Sequence, residues 1–529
     1  MIRLYAILFS ILFMSVSYAQ VFIDDFTAND VENNTNGLWR PRIAAAGDGS
    51  YSIAWEDYSD RPGINSNISG RSQIAVRRFS ADGQPLGHIN FFRGESTNIS
   101  MWLFDFLEHA ELEYLSNGVL LVLMQHTGRF VIGSDDVASA ETTLGAINTN
   151  GQIIKLHHFG DNVQSPLIFT SSRRQDRPRL TVTPDDVIVA ILDESSYDSG
   201  YRNVAFRALN TSLEELITRE IPHDDGVGEA PHIHADAATN GQLFATVWQD
   251  GRYGDLWSVS VQFYTEEGPV GTNHRVNQTP PGTAYAIWPS VAMNESGQSV
   301  VVWYDSRNGA QLYGQRFDAG GNPAGDNFQI TETPAGGDIY FRPEVAVRND
   351  GSFMVVWTDS TDVQNAFRAK ARQYDAGGIP AGDPQLIPSL DVLSGYPDVA
   401  TDGSAYYVTW MDGRLNGEYI DVFAKKIGTV ISSVGEDGSG FPQSVTLYPA
   451  YPNPFNPSTT IRFAIPEQMH VSLGVYDMVG RKVATVVDEE LPSGEYSRAF
   501  NAIGLASGVY LYRLRAGNCM ETRRFTLVK

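Results

Sequence analysis

Over residues 286–427, short runs of alternating apolar and polar positions end at Gly, Asn or Asp, and the whole pattern returns at a fixed distance. One copy reads Trp288-Pro289-Ser290-Val291-Ala292, then Gly297, Val300-Val301-Val302-Trp303-Tyr304-Asp305-Ser306-Arg307 and Gln315-Arg316-Phe317-Asp318. The next reads Arg342-Pro343-Glu344-Val345-Ala346, Gly351, Val355-Val356-Trp357-Thr358-Asp359 and Arg372-Gln373-Tyr374-Asp375. A third reads Tyr396-Pro397-Asp398-Val399-Ala400, Gly403 and Val408-Thr409-Trp410-Met411-Asp412-Gly413-Arg414. Earlier copies open at Pro41, Pro178 and Pro231. Alternation of β-branched and aromatic residues between turn formers predicts strands joined as hairpins.

The opening prolines stand at 41, 178, 231, 289, 343 and 397, so the last four intervals are 53, 58, 54 and 54 residues. The first interval, 137 residues, is long enough to hide a divergent copy, which we place at Leu112–Gln125, around the turn Ser116-Asn117-Gly118. That makes seven units. Four strands fit each unit, which predicts an all-β fold, a seven-bladed β-propeller over residues 20–430. A stacked solenoid has coils of roughly 20–30 residues, too short for this period. In Trp-x-Asp-x-Arg the Trp is expected to fill the space between blades while the Asp and Arg tie down the following turn. The last unit runs out near Ile427 without a fourth strand, and Gln20-Val21-Phe22-Ile23 resembles the missing one. The N-terminus is therefore expected to complete the last blade and remove two open sheet edges.

Both ends read differently. Arg3, the apolar run Leu4–Val16 and Ser17-Tyr18-Ala19 predict a signal peptide over 1–19, too short for a membrane span of roughly 20 apolar residues. No cysteine follows Ala19, which excludes a lipoprotein anchor, and no later stretch predicts a transmembrane segment. A Ser- and Gly-rich linker occupies 431–444, and residues 445–529 alternate as a small Ig-like β-sandwich. This module carries Tyr-Pro-Asn-Pro-Phe-Asn-Pro at 451–457, Tyr-Asp-x-x-Gly-Arg at 476–481 and Leu-x-x-Gly at 491–494. Leu-Ala-Ser-Gly-Val-Tyr at 505–510 and the terminal Leu527-Val528-Lys529 follow. In these five motifs it resembles the type A C-terminal sorting domain of the type IX secretion system. The resemblance implies a Gram-negative bacterium, the secretion machinery as partner, removal of the module near the linker, and a cargo released or held at the outer-membrane surface. Cys519 reads as a half-buried strand residue.

Charge then narrows the function. The formal net charge is −24, with 62 Asp plus Glu against 38 Lys plus Arg. Residues 445–529 carry nine basic and seven acidic side chains, so the acid sits on the propeller and linker. An acidic body excludes nucleic acid as the main partner, because phosphate binding needs a cationic footprint. One cysteine excludes a disulfide framework and Cys-based zinc.

No Gly-x-Ser-x-Gly elbow, His-Glu-x-x-His pair or Walker loop is present, nor the Ser-x-Asp-x-Gly-x-Thr-Trp box of sialidase propellers. His232-Ile233-His234 lacks a third ligand, and Asp185-Asp186 and Asp224-Asp225 read as solvated turns; no metal or other cofactor is predicted. One constellation remains, because the first strand of every blade lines the central channel. Counting from the opening prolines brings Arg40, Arg42, Arg177, Arg179, His232, Trp288, Arg342, Glu344, Tyr396 and Asp398 to one mouth. Guanidinium forks take carboxylates and aromatic faces stack on sugars or cations. The bland alternative is that these arginines pair with neighbouring acids and hold the blades. The expected function is recognition of a glycan or surface protein. An extracellular glycoside hydrolase or polysaccharide lyase using Glu344, Asp398 and His232, and a structural surface protein, are the competing classes.

Overall fold

The computed structural model describes residues 20–22, 25–29, 38–57, 73–91, 102–132, 135–159, 173–196, 202–224, 230–253, 256–309, 311–331, 342–359, 367–389, 392–414, 421–429, 445–447, 455, 457–465, 468–477, 481–492, 494–517 and 519–527. Residues 1–19, where a signal peptide is expected, and the whole of the expected linker at 431–444 lie outside them. The chain divides into two compact units, 1–430 and 431–529.

The first unit is a seven-bladed propeller of antiparallel sheets. Blades 1 to 6 begin with Leu38–Ala45, Trp102–Tyr114, Arg173–Val182, His232–Thr239, Ala286–Met293 and Glu344–Val347, and each sheet runs four strands in chain order. Blade 7 holds Ser394–Thr401, Ala405–Asp412 and Asp421–Thr429, and Gln20–Phe22 pairs antiparallel with the last of these. The seven first strands touch one another in sequence and blade 7 touches blade 1, so they form a closed inner ring. The divergent copy is blade 2.

The second strands carry the core. Trp55, Trp248, Trp303, Trp357 and Trp410 are all buried, and Met124 and Leu192 hold the same place in blades 2 and 3. The Trp-x-Asp-x-Arg motif is structural: the Nε1–H groups of Trp303 and Trp410 each donate to Asp305 and Asp412 at 2.9 Å. Arg307 and Arg414 then cap those aspartates at 2.6 and 2.5 Å. Burying such a carboxylate is tolerable only with partners of this kind. The hairpin between first and second strands needs a left-handed residue; Gly403, at φ 87°, supplies it in blade 7, and Asp186, at φ 62°, in blade 3.

Ring closure has an electrostatic anchor. Buried Asp25 accepts the Ser389 N–H and hydroxyl at 2.8 Å each, Arg414 at 2.6 Å and Lys425 at 3.4 Å. Asn29 bonds Asp421 at 2.9 Å and receives the Val422 N–H at 2.9 Å. Burial raises the Asp25 pKa, but Lys425, the Ser389 N–H and Arg414 outweigh it and hold the group below its ordinary value.

The second unit is a two-sheet sandwich. One sheet contains Thr446–Leu447, Ser458–Ile465 and Gly494–Asn501; the other contains Lys482–Leu491, Met469–Tyr476, Gly508–Ala516 and Cys519–Leu527. Phe455, from the proline-rich motif, is buried against Phe525 at 4.9 Å, and its N–H donates to the Thr526 carbonyl at 2.9 Å. Asp477 ties Arg481 back across the turn at 2.7 Å, and the Tyr510 hydroxyl donates to the Ala506 carbonyl at 2.8 Å. Cys519 is half-buried in the edge strand.

Removing one partner from a buried ion cluster costs about 3–5 kcal/mol. Asp25→Asn is therefore expected to lower unfolding stability by about that amount, and deletion of 21–25 by more, in chemical denaturation. A melting curve unchanged by both would show that the ring does not depend on this segment.

Candidate functional site

Every first strand except that of blade 6 contains a register shift, and each shift is a one-residue bulge. The bulge residue lies in the left-handed region: Arg40, His109, Arg177, His234, Trp288 and Tyr396 have φ between 46° and 57°. Such conformations cost non-glycine residues about 1–3 kcal/mol and persist where surroundings enforce them. The enforcement is visible in the next sheet over. The N–H groups of His109, Arg177 and His234 donate to Glu56, Gln125 and Asp193 of the preceding blade at 2.9, 3.0 and 2.7 Å. The Tyr396 N–H donates to Thr358 at 3.0 Å.

Aligned on this bulge, the inner strands build tiers. The rim tier is Arg40, His109, Arg177, His234, Trp288, Arg342 and Tyr396. Two residues on lies a charged tier of Arg42, Glu111, Arg179, Asp236, Ser290, Glu344 and Asp398. Two further on come alanines in blades 1, 4, 5, 6 and 7, with Thr181 in blade 3 and Glu113 in blade 2.

The charged tier closes on itself across the axis. Glu344 of blade 6 accepts Arg42 of blade 1 at 2.8 Å, Arg179 of blade 3 at 3.3 Å and the Ser290 hydroxyl of blade 5 at 3.0 Å. Arg42 also reaches Glu111 at 3.2 Å and Asp398 at 3.5 Å, and Arg179 pairs with Glu111. Arg342 turns inward from the rim to Asp236 at 2.6 Å. Asp398 and Asp236 each accept a backbone N–H from the following blade, Ile43 at 2.8 Å and Val291 at 2.9 Å. Burial raises Glu344, but Arg179, Arg42 and Arg342 outweigh it and hold it at about 2. Asp398 goes the other way: burial, against Arg42 and with Glu344 and Glu111, pushes it to about 7. Burial, with Glu111 adding, pushes Glu113 to about 8.

Two sequence expectations change here. His232 does not reach the mouth: it is fully buried, stacked on His223 at 4.0 Å and 3.5 Å from Asp250. Blade 4 has Ala235 where blades 1, 3, 5, 6 and 7 have their opening proline, so counting from Pro231 puts the register four residues out, and His234 is the rim residue. Second, Arg42, Arg179, Arg342, Glu344 and Asp398 form an internal plug rather than an open cationic surface. Arg40 and Arg177 stay at the surface, with 38% and 45% of their side chains exposed. His109 and His234 were missed because neither precedes a proline; Trp39 and the second-strand acids Glu56 and Asp193 lie outside the inner-strand count altogether.

At the rim, Arg40 Nη1 donates to Glu56 at 3.1 Å, and the Trp39 and Tyr396 rings meet edge to face at 6.0 Å. Arg177 Nη1 donates to His234 Nε2 at 3.0 Å, and the His234 and Trp288 rings lie 6.0 Å apart. Burial, then Arg177 and Arg342, lower His234 to about 2, so the ring is neutral and accepts on Nε2. Burial and then Arg40 and Arg177 lower His109 in the same way. Both histidines are thus kept uncharged among the arginines of the mouth, on a chain whose net charge is −24.

The fold and these tiers define an all-β propeller with a polar, aromatic mouth, followed by a separate sandwich. Residues 449–528 match the secretion system C-terminal sorting domain, which marks the chain for type IX export. No curated protein matches the chain. Similar solved structures include a protein of unknown function from Dyadobacter fermentans (12% identity, 78% of this chain and 99% of that one, TM-score 0.41). A Penicillium chrysogenum alpha-L-arabinanase complexed with arabinobiose has 13% identity over 76% and 98% of the chains, TM-score 0.37. A mutant Trypanosoma rangeli sialidase displaying trans-sialidase activity has 10% identity over 97% and 88%, TM-score 0.41. Likenesses this distant carry no chemistry to this chain, and the propeller rests on its strand order. Among the described residues no helix is long and apolar enough to cross a membrane.

The plug sets a pH dependence. Asp398 has a folded pKa of about 7 against an ordinary 3.8, so the fold holds a proton that the unfolded chain releases. Stability therefore falls as pH rises from about 4 to 7, and Glu113 extends the fall to about 8. Glu344 is depressed, so its contribution is present above 4.5 and lost only as pH drops toward about 2. Melting temperature is expected to decline from pH 5 to 8, less steeply in Asp398→Asn; equal slopes would refute the assignment. Glu344→Gln, which strips the partner from three guanidiniums, is expected to cost about 3–5 kcal/mol in denaturant unfolding.

Proposed function

We propose that the exported propeller is a recognition module that takes an acidic glycan at the mouth of its channel, outside the cell or at the outer-membrane surface. The observation that carries this reading is the pair of partly exposed guanidiniums, Arg40 and Arg177, each beside an aromatic pair and above a floor of buried, ion-paired arginines. A guanidinium offers five N–H donors in a planar fork that matches a ligand carboxylate, and both of these side chains are partly exposed at the mouth. Aromatic faces beside them suit the apolar faces of sugar rings. The left-handed bulges fix the direction in which each rim residue leaves its strand, which limits the ordering cost of binding.

A carbohydrate-active enzyme on the same scaffold is the second reading. Glu56 and Asp193 favour it, since both carboxylates reach the rim from the second strands. Both are engaged by backbone N–H groups and lie beside arginines, an arrangement that suits holding the rim better than moving a proton.

Titration of the purified protein with a polyuronate by calorimetry separates these readings. Hydrogen bonds to charged groups contribute about 1.5–3 kcal/mol each, so Arg40→Gln with Arg177→Gln is expected to weaken binding by at least about tenfold. Undiminished binding in that variant removes the recognition reading. Release of reducing ends during the titration would favour the enzyme.

A further inference from the structure

The exposed chemistry of the rim is divided into two clusters rather than spread around the ring. Trp39, Arg40 and Tyr396 form one, at the junction of blades 7 and 1. Arg177, His234 and Trp288 form the other, on blades 3, 4 and 5. In a ring of seven, blade 4 faces the junction of blades 7 and 1, so the clusters stand on opposite sides of the axis. Each pairs an exposed guanidinium with two aromatic rings in contact, although the residues come from different blade positions. Between them, Arg342 is drawn down to Asp236 and offers the rim no free charge on that side. The floor between the clusters is the Arg42–Glu344–Arg179 plug. A sugar entering end-on along the axis would meet neutralised ion pairs, whereas a chain lying across the mouth meets a fork and an aromatic wall at each end.

Resting on the recognition reading above, we infer that the mouth is bipartite: it binds a linear acidic glycan laid across the channel, with one carboxylate-bearing sugar at Arg40 and a second, further along the chain, at Arg177. Both clusters are then filled by one ligand, and the second contact forms at high effective concentration. Such linkage raises affinity by about 10²–10⁴ without any new type of contact. A monomeric uronate reaches one cluster at a time and gains nothing from the other.

The probe is a series of galacturonic acid oligomers from monomer to octamer, titrated by calorimetry and by tryptophan fluorescence. The wild type is expected to show a step in affinity, about a hundredfold or more, at the length that first spans both clusters. Arg40→Gln and Arg177→Gln, tested singly, should each abolish the step and leave affinities near that of the monomer. Arg40→Lys and Arg177→Lys keep the charge beside Glu56 and Asp193 but lose the planar fork; they cover the case in which a glutamine variant melts early, and should also flatten the step. Binding that does not depend on length, or a step that survives loss of either arginine, overturns the bipartite arrangement while leaving recognition at the mouth intact. No binding at any length overturns both.

Discussion

Guanidiniums from blades 1 and 3 converge on one carboxylate, Glu344 of blade 6, and a hydroxyl from blade 5 joins them. Sheet ladders fix each blade internally, and packing of neighbouring sheets fixes each blade against the next. Neither sets where blade 3 stands relative to blade 6. The contacts on the axis do, because they join blades that no hydrogen-bonded ladder connects. A buried ion cluster is seldom a large net source of stability, since desolvation offsets much of the attraction. What it supplies is a strongly unfavourable alternative: any slip that separates Glu344 from its partners leaves a charge buried and unpaired.

The bulges extend this constraint to the rim. A bulge adds one residue, bends its strand and increases the local twist, and so re-aims the side chain at that point. Six inner strands use a left-handed non-glycine residue there, and four of those residues give their N–H to a side chain of the preceding blade. The strain is therefore held by interblade hydrogen bonds, and these require the ring to be closed. Closure in turn depends on Gln20–Phe22 in the last blade and on Asp25 beneath Arg414 and Lys425. Side chains at the mouth are thus positioned by contacts made at the far edge of the molecule.

Much of this was legible in the sequence, and the failures have identifiable causes. The Trp, the hairpin Gly and the opening Pro recur in blades 1, 5, 6 and 7, and together they gave the period, the blade count and Arg40, Arg177, Trp288 and Tyr396 as rim residues. Blade 2 was faint because Met124 replaces the Trp and Ala110 the Pro, substitutions that an apolar interblade space accepts. His232 was misplaced because Pro231 mimics the opening proline four residues too early. A better ruler was present: the alanine tier of Ala44, Ala292, Ala346 and Ala400 follows each opening proline by three, and counting back from Ala238 gives Ala235. Five inner strands place alanine at that position, and unlike the proline it is kept in blade 4. Which arginines are neutralised could not be read at all, since pairing across the axis joins residues as far apart as Arg42 and Glu344.

The acid excess and the arginines at the mouth are compatible once burial is taken into account. In the charged tier four carboxylates face two arginines, with Arg342 folded down from the rim as a third. Desolvation eases the surplus by raising the Asp398 pKa to about 7, so part of this carboxyl's charge is absent near neutral pH. Above that floor Arg40 and Arg177 lie beside the buried carboxylates Glu56 and Asp193, while the acids at the solvent surface lie in high-dielectric surroundings, where their influence falls off within about 10 Å at 0.1 M salt. The two layers consequently differ: the plug joins blades across the axis through buried ion pairs, whereas the rim holds guanidiniums that are partly exposed to whatever approaches from outside.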